Sequence, residues 1–377
     1  MSTVRTNNIT DASGGNTATI NSMTPTADSL QGFRNRIING DMRIDQRNAG
    51  AAVNGIASSI FITDRWAYYT NATAGAFNAG QNLNSATPPA GFTKYLGFQV
   101  ASAQTPSGSN AYFFGQKIEG FNVADLGWGA AGAKTITISF WVRSSVTGTH
   151  SGNVQNTSNA RSYVFSYTIS SANTWEQKSI TIAGDTSGTW PTDNTAGLIL
   201  YFNLGCGTGI QTTAGSWNAA QYIGVTGGVS VVSNASATFY ITGVQLEVGS
   251  VATPFERRDY GRELIMCQRY YWLAVKGQNK TICTAAMYSA TEALGGLVLP
   301  VTMRTTPTLD IVTGTGYYSI ERSGSPASDT FDSFTIYRAT ENIAGLYASS
   351  GVSGTAGYAG LFECKNTASF IGFTSEL

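Results

Sequence analysis

The chain holds one histidine, four cysteines, and 22 acidic against 22 basic side chains. That inventory limits the chemistry it can do. A Ser/His/Asp triad would have to use His150, which lies in the polar run 148–153 and reads as a solvated loop residue, and no G-x-S-x-G marks a strand-to-helix turn. Cys206, Cys267, Cys283 and Cys364 lack C-x-x-C spacing and read as buried free thiols. One histidine also defeats the usual zinc ligand set. Asp185, Asp193 and Asn194 share a Gly-rich region whose oxygens suit calcium, but without EF-hand spacing turn chemistry is the better reading. The stretch Gly205-Cys206-Gly207-Thr208-Gly209 lacks the lysine and helix of a phosphate loop. A glycosidase needs only two carboxylates roughly 5–9 Å apart. Glu119 and Glu247 sit in strand-like contexts, where structural hydrogen bonding is expected. The sequence therefore nominates no catalytic residue, no metal ligand and no cofactor, and a depolymerase is the weakest of its readings.

The aromatics carry more. Trp190 in SGTWPTDN and Trp217 in TAGSWNAAQ lie in uncharged polar loops. Sugars offer apolar C–H faces and hydroxyl edges, so a flat indole beside Asn, Thr and Gln is suitable chemistry for carbohydrate binding. The competing role is a plug at the end of a β-sandwich, with the indole N–H bonded to loop backbone. Trp190 and Trp217 are the candidate carbohydrate-binding residues, with both roles open.

Composition narrows the class. Charged residues are 12% of the chain, about half the usual ~25%, and the net charge is zero. No global field draws it to nucleic acid or an anionic membrane. No segment approaches ~18 consecutive apolar residues. The first ten residues lack the apolar stretch of a signal peptide, so synthesis in a cytoplasm is expected. Glycine at 43 of 377, with abundant polar and aromatic residues, is the balance of an all-β protein with an uncharged surface.

Four regions follow along the chain. Residues 1–32 are small and polar and read as an extended N-terminal arm that orders against a partner protein, or as a tail. Residues 33–253 read as successive strands. In KTITISFWVR, Ile136, Ile138, Phe140 and Val142 alternate with Thr135, Thr137, Ser139 and Trp141, the period of a half-buried strand. Further strands are expected at 111–118, 161–169, 178–182, 198–204 and 237–246, without crossover helices, which points to a β-sandwich or jelly roll. Residues 254–275 read as a linking helix. Thr253-Pro254-Phe255-Glu256 fits a capping box, and Tyr260, Leu264, Cys267 and Tyr271 share one helical face. Residues 276–377 read as a smaller C-terminal β domain.

Several motifs, in order, carry a resemblance. They are 35–42 (NRIINGDM) with Gln46-Arg47, then Asp64-Arg65-Trp66, 116–120 (QKIEG), 138–144 (ISFWVRS), 238–249 (TFYITGVQLEVG), 252–258 (ATPFERR) and 267–271 (CQRYY). The set resembles tail-fibre and related virion proteins of tailed bacteriophages, including cyanophages, with a jelly-roll domain similar to carbohydrate-binding modules. The resemblance covers about residues 33–275. It implies a virion protein, attached to other virion proteins by the N-terminal arm, that binds host surface polysaccharide, usually as a homotrimer. A structural head-decoration or adaptor protein is the alternative. The motifs themselves read as structural: 39–41 as a turn with glycine at positive φ, and Asp64-Arg65-Trp66 as a salt-bridged, stacked corner.

Overall fold

A computed structural model describes residues 33–72, 75–322 and 327–377. The arm expected over 1–32 lies outside the described residues. The chain divides into two compact units. One comprises the described residues up to Arg43 with Gly50–Ile60 and Trp66–Arg257; the other comprises Ile44–Ala49, Phe61–Arg65 and Arg258–Leu377. Both are β structures, and one α-helix occurs among the described residues. The fold is all-β, of the jelly-roll sandwich type.

Period-2 alternation builds the first unit. One sheet runs Val53–Ile56, Phe77–Gln81, Leu96–Val100, Thr238–Val248, Ile136–Ser144, Glu176–Ile182. The facing sheet runs from Trp217–Asn218 through Ser162–Ile169, Gly148–Gln155, Ala196–Cys206 and Ala111–Glu119 to Trp66–Thr70. The pairings between these strands are antiparallel. Ile136, Ile138, Phe140 and Val142 are fully buried, as their alternation requires. They meet a core in which Phe114 stacks on Phe202 (centroids 5.4 Å) and Phe140 meets Phe202 edge-on (5.0 Å). Each such side chain contributes about 1.5–3 kcal/mol on burial.

Two local expectations are corrected, at His150 and at the 39–41 turn, and the structural role expected of Glu247 is met. His150 lies on the strand Gly148–Gln155 and is 1% exposed, with its ring against Tyr167 and Phe239. Polar residues on both faces of that strand hide its period. Burial lowers the His150 pKa below the ordinary imidazole value. In the turn at 39–41 the left-handed residue is Asn39 (φ 58°). Gly40 is needed for a different reason: a Cβ there would lie 2.2 Å from the Val244 carbonyl oxygen. Gln245 and Glu247 are buried along with Val244 and Leu246. Glu247 accepts from the Thr253 N–H (2.8 Å) and hydroxyl (2.6 Å), the structural role read from its context.

Those same bonds overturn the helix start. Thr253 is held by Glu247, and the Glu256 N–H donates to Gln245 Oε1 (2.7 Å), so neither is free to cap. The helix spans Tyr260–Gln268, and its N-cap is Asp259, whose carboxylate accepts from the Arg262 N–H (2.9 Å). Tyr271 begins the strand Tyr271–Lys276, so it leaves the expected helical face.

The second unit pairs a seven-stranded sheet (Ser328–Phe331, Tyr318–Arg322, Ala359–Cys364, Lys280–Met287, Ala293–Val298, Ile343–Ala348, Thr335–Ala339) with a three-stranded one (Tyr271–Lys276, Phe370–Thr374, Thr308–Ile311). Tyr318, Ile320, Leu346, Phe362 and Phe373 are fully buried in its core. The corner expected at Asp64-Arg65-Trp66 is corrected in its partners: Arg65 is bridged by Glu376 and stacked on Tyr270, while Trp66 is buried against Phe114 in the first unit. Arg65 pairs with the Glu376 carboxylate and lies 3.6 Å from the Tyr270 ring centre; Arg47 reaches the same carboxylate (3.3 Å) and lies 3.5 Å from the centre of Tyr271. These bonds join residues some three hundred positions apart, and they place 44–49 and 61–65 in this unit.

Candidate functional site

The two tryptophans singled out from sequence do meet, with a third. Trp190 and Trp217 lie 5.6 Å apart, and Trp128 contacts both edge-on at 4.7 and 5.3 Å. Each indole N–H donates to loop backbone: Trp128 to Lys134, Trp190 to Ser187, Trp217 to Ala183. Trp190 is 9% exposed, and Trp217 is half-buried against Tyr163. The cavity beside Trp128 and Trp190 holds about 40 Å³, room for a few waters and far below the roughly 300–1,000 Å³ of ligand pockets. Nearby, Asp185 takes Arg161 through two 2.7 Å bonds, and Asp193 accepts from Thr195, so both carboxylates are spent on loop structure.

A larger site lies on the outer face of the sheet that contains Ala111–Glu119. Adjacent aromatics on a strand point to opposite faces. In Tyr68-Tyr69 and Phe113-Phe114, therefore, Tyr68 and Phe114 enter the core while Tyr69 and Phe113 face outward. Register sets Tyr69 directly opposite Phe113, and their rings lie 5.6 Å apart with planes 20° from parallel. Tyr201 supports both edge-on, at 5.2 and 4.7 Å. It fits because its cross-strand neighbour is Gly115, where a Cβ would come within 2.6 Å of the Tyr201 ring. Burial, then the Tyr69 phenol to which it is hydrogen-bonded, raises the Tyr201 pKa well above the ordinary value, so it stays neutral. Lys117 sets its ammonium 5.8 Å from the Tyr69 ring centre.

Tyr69 and Phe113 border a groove of about 420 Å³. Its other lining residues are Ser59, Thr70, Asn71, Ser109 and Gln221, with Ala111, Ile210 and Ile223 as apolar wall. Asn71 braces the rim by donating to the Ser109 carbonyl (2.8 Å) and accepting from the Ala111 N–H (2.9 Å). Among the described residues, none that lines the groove is a carboxylate, a histidine or a cation. Two aromatic faces within a ring of hydroxyls and amides can stack on an apolar ligand face while bonding its polar edges. Reading the sequence for tryptophans in loops passed over this site. The signal for it was the aromatic doublet on a strand, which must leave one ring outside.

No family model matches the chain, and no curated protein matches it. Among solved structures it is similar to the enzymatically active domain of tailspike protein 4 from bacteriophage CBA120 (13% identity, TM-score 0.32, covering 58% of this chain and 22% of that one). It is also similar to a putative sugar-binding protein from Bacteroides thetaiotaomicron (10%, 0.32, 57% and 100%). A third is the family 11 carbohydrate-binding module from Clostridium thermocellum in complex with a β-1,3-1,4-mixed-linked tetrasaccharide (12%, 0.28, 52% and 97%). This chain thus spans about a fifth of the tailspike chain it matches.

Proposed function

We propose that the chain is a glycan-binding protein without catalytic chemistry of its own, and that the Tyr69–Phe113 groove is its sugar site. The observation that carries this is the near-parallel aromatic pair set in an uncharged polar rim, within a volume of about 420 Å³. Stacking on each ring contributes on the order of 1 kcal/mol. One site is therefore weak, and firm attachment to a surface requires several copies acting together. That requirement suits the wider reading from the sequence resemblance: a bacteriophage virion fibre protein, assembled as a homotrimer on other virion proteins, that adsorbs to host surface polysaccharide. The test is an array of neutral oligosaccharides probed with the wild-type chain and with Tyr69→Ala and Phe113→Ala. The reading expects at least a fivefold loss for each variant. Equal binding by all three proteins would place the sugar elsewhere.

A structural role in the particle is the second reading, favoured by one observation. Val298 and Ile343 are cross-strand neighbours in the C-terminal sheet, 74% and 53% exposed, with Tyr337 and Leu361 also exposed. An apolar surface of this kind fits contact with another virion protein. Val298→Asp with Ile343→Asp should then abolish incorporation into particles and leave array binding intact.

A further inference from the structure

We propose that the ligand site continues beneath the strap formed by residues 208–228, over a covered row of amides, so that the chain takes an oligosaccharide longer than the open groove admits. This rests on the glycan reading above.

Register carries the argument. Asn203 sits opposite Phe113, and Asn153 opposite Tyr201, so both amides lie on the same outer face as the groove's aromatic rings. Gln155 follows two residues along and shares that face. An outer face of a sandwich is normally wet. Here Asn153, Gln155 and Asn203 are 0, 1 and 5% exposed. Strap contacts flank them: the Val225 N–H donates to Ser151 Oγ (3.2 Å), and the Tyr222 N–H to Ser162 Oγ (3.1 Å). Asn153 donates to Gln155 Oε1 (2.7 Å), but its own Oδ1 is buried with no hydrogen-bond partner among the described residues. A permanent cover would be better matched by apolar residues, because an unpaired buried acceptor is costly. A row of amides with an unmet acceptor suits a face that exchanges its cover for ligand hydroxyls. Trp217 pins the middle of the strap by packing on Tyr163, Trp128 and Trp190, so the part able to lift is 219–228, whose apolar hold is Ile223 in a small cluster with Ala111 and Cys206. Gly227, at φ 72° with open space around it, stands at the far end of that part, where a hinge needs conformational freedom.

Cys206 supplies a lock. A Cβ built on Gly224, in the strap, would lie 2.5 Å from Cys206 Sγ, so Gly224→Cys places two thiols for a reversible cross-link. The full-length variant, oxidised and reduced, is applied to an array of neutral oligosaccharides of two to six sugar units. The reduced form should bind six-unit glycans at least tenfold better than the oxidised form, with two-unit binding equal in both. Asn153→Ala should likewise lose the six-unit preference without a lower Tm. The same length dependence in both redox forms, or a wild-type profile for Asn153→Ala, overturns the covered extension and leaves the groove standing. No binding at any length by the wild-type chain overturns the glycan reading and the extension with it.

Discussion

Trp190→Ala separates a platform from a plug. The indole is 9% exposed, packs edge-on to Trp128 and Trp217, and donates its N–H to the Ser187 carbonyl (3.1 Å). Truncating a buried tryptophan costs about 3–5 kcal/mol, depending on how far the site collapses. Collapse is hindered here. A cavity of about 40 Å³ already adjoins the ring, and backbone packs closely beside it, where a Cβ on Gly129 would sit 3.3 Å from its Cδ1 and 2.6 Å from the Gly188 carbonyl oxygen. The upper half of the range is therefore expected. At about 2–4 °C per kcal/mol for a unit of this size, Tm should fall by roughly 8–20 °C. Calorimetry gives the shift, and the oligosaccharide array, read below the variant's transition, should show binding retained. A Tm drop under about 3 °C together with lost binding would refute this reasoning and make Trp190 a sugar platform.

Three other outcomes follow from the structure. Burial, opposed by the Arg47 charge and by bonds from Gln46, raises the Asp64 pKa from 3.8 to about 6. The folded state then holds a proton that the unfolded chain releases, so stability falls by about 3 kcal/mol as pH rises from about 4 through 6; the Tm of wild type relative to Asp64→Asn should rise as pH is lowered from 7 to 5. Glu376→Gln removes the carboxylate shared by Arg47 and the buried Arg65, and should cost about 3–5 kcal/mol, seen as an earlier melting of the C-terminal unit. Gly115→Ala places a Cβ 1.9 Å from the Leu200 carbonyl oxygen and 2.6 Å from the Tyr201 ring, so it should lower Tm and weaken array binding together.

The sequence by itself determined the class and the strands whose two faces differ. In 136–142 every second residue is apolar, and a sheet can bury that set only one way, so the core face was legible. Few charges, abundant glycine and a lone histidine already pointed away from the commonest catalytic sets. Where both faces of a strand are polar, as at 148–155, the period vanishes, and the sequence alone makes His150 look like a loop residue. Local pattern also misplaced the helix start, because Thr253 and Glu256 are claimed by Glu247 and Gln245, which only the folded sheet brings near. The assembly of the candidate site belongs to tertiary structure. Tyr69, Phe113 and Tyr201 come from three strands distant in the chain, and cross-strand register alone makes them neighbours. An aromatic doublet tells that one ring must face outward; it does not tell which other strand supplies its partner. The same limit holds for Arg65 and Glu376, whose pairing depends on chain closure over some three hundred residues.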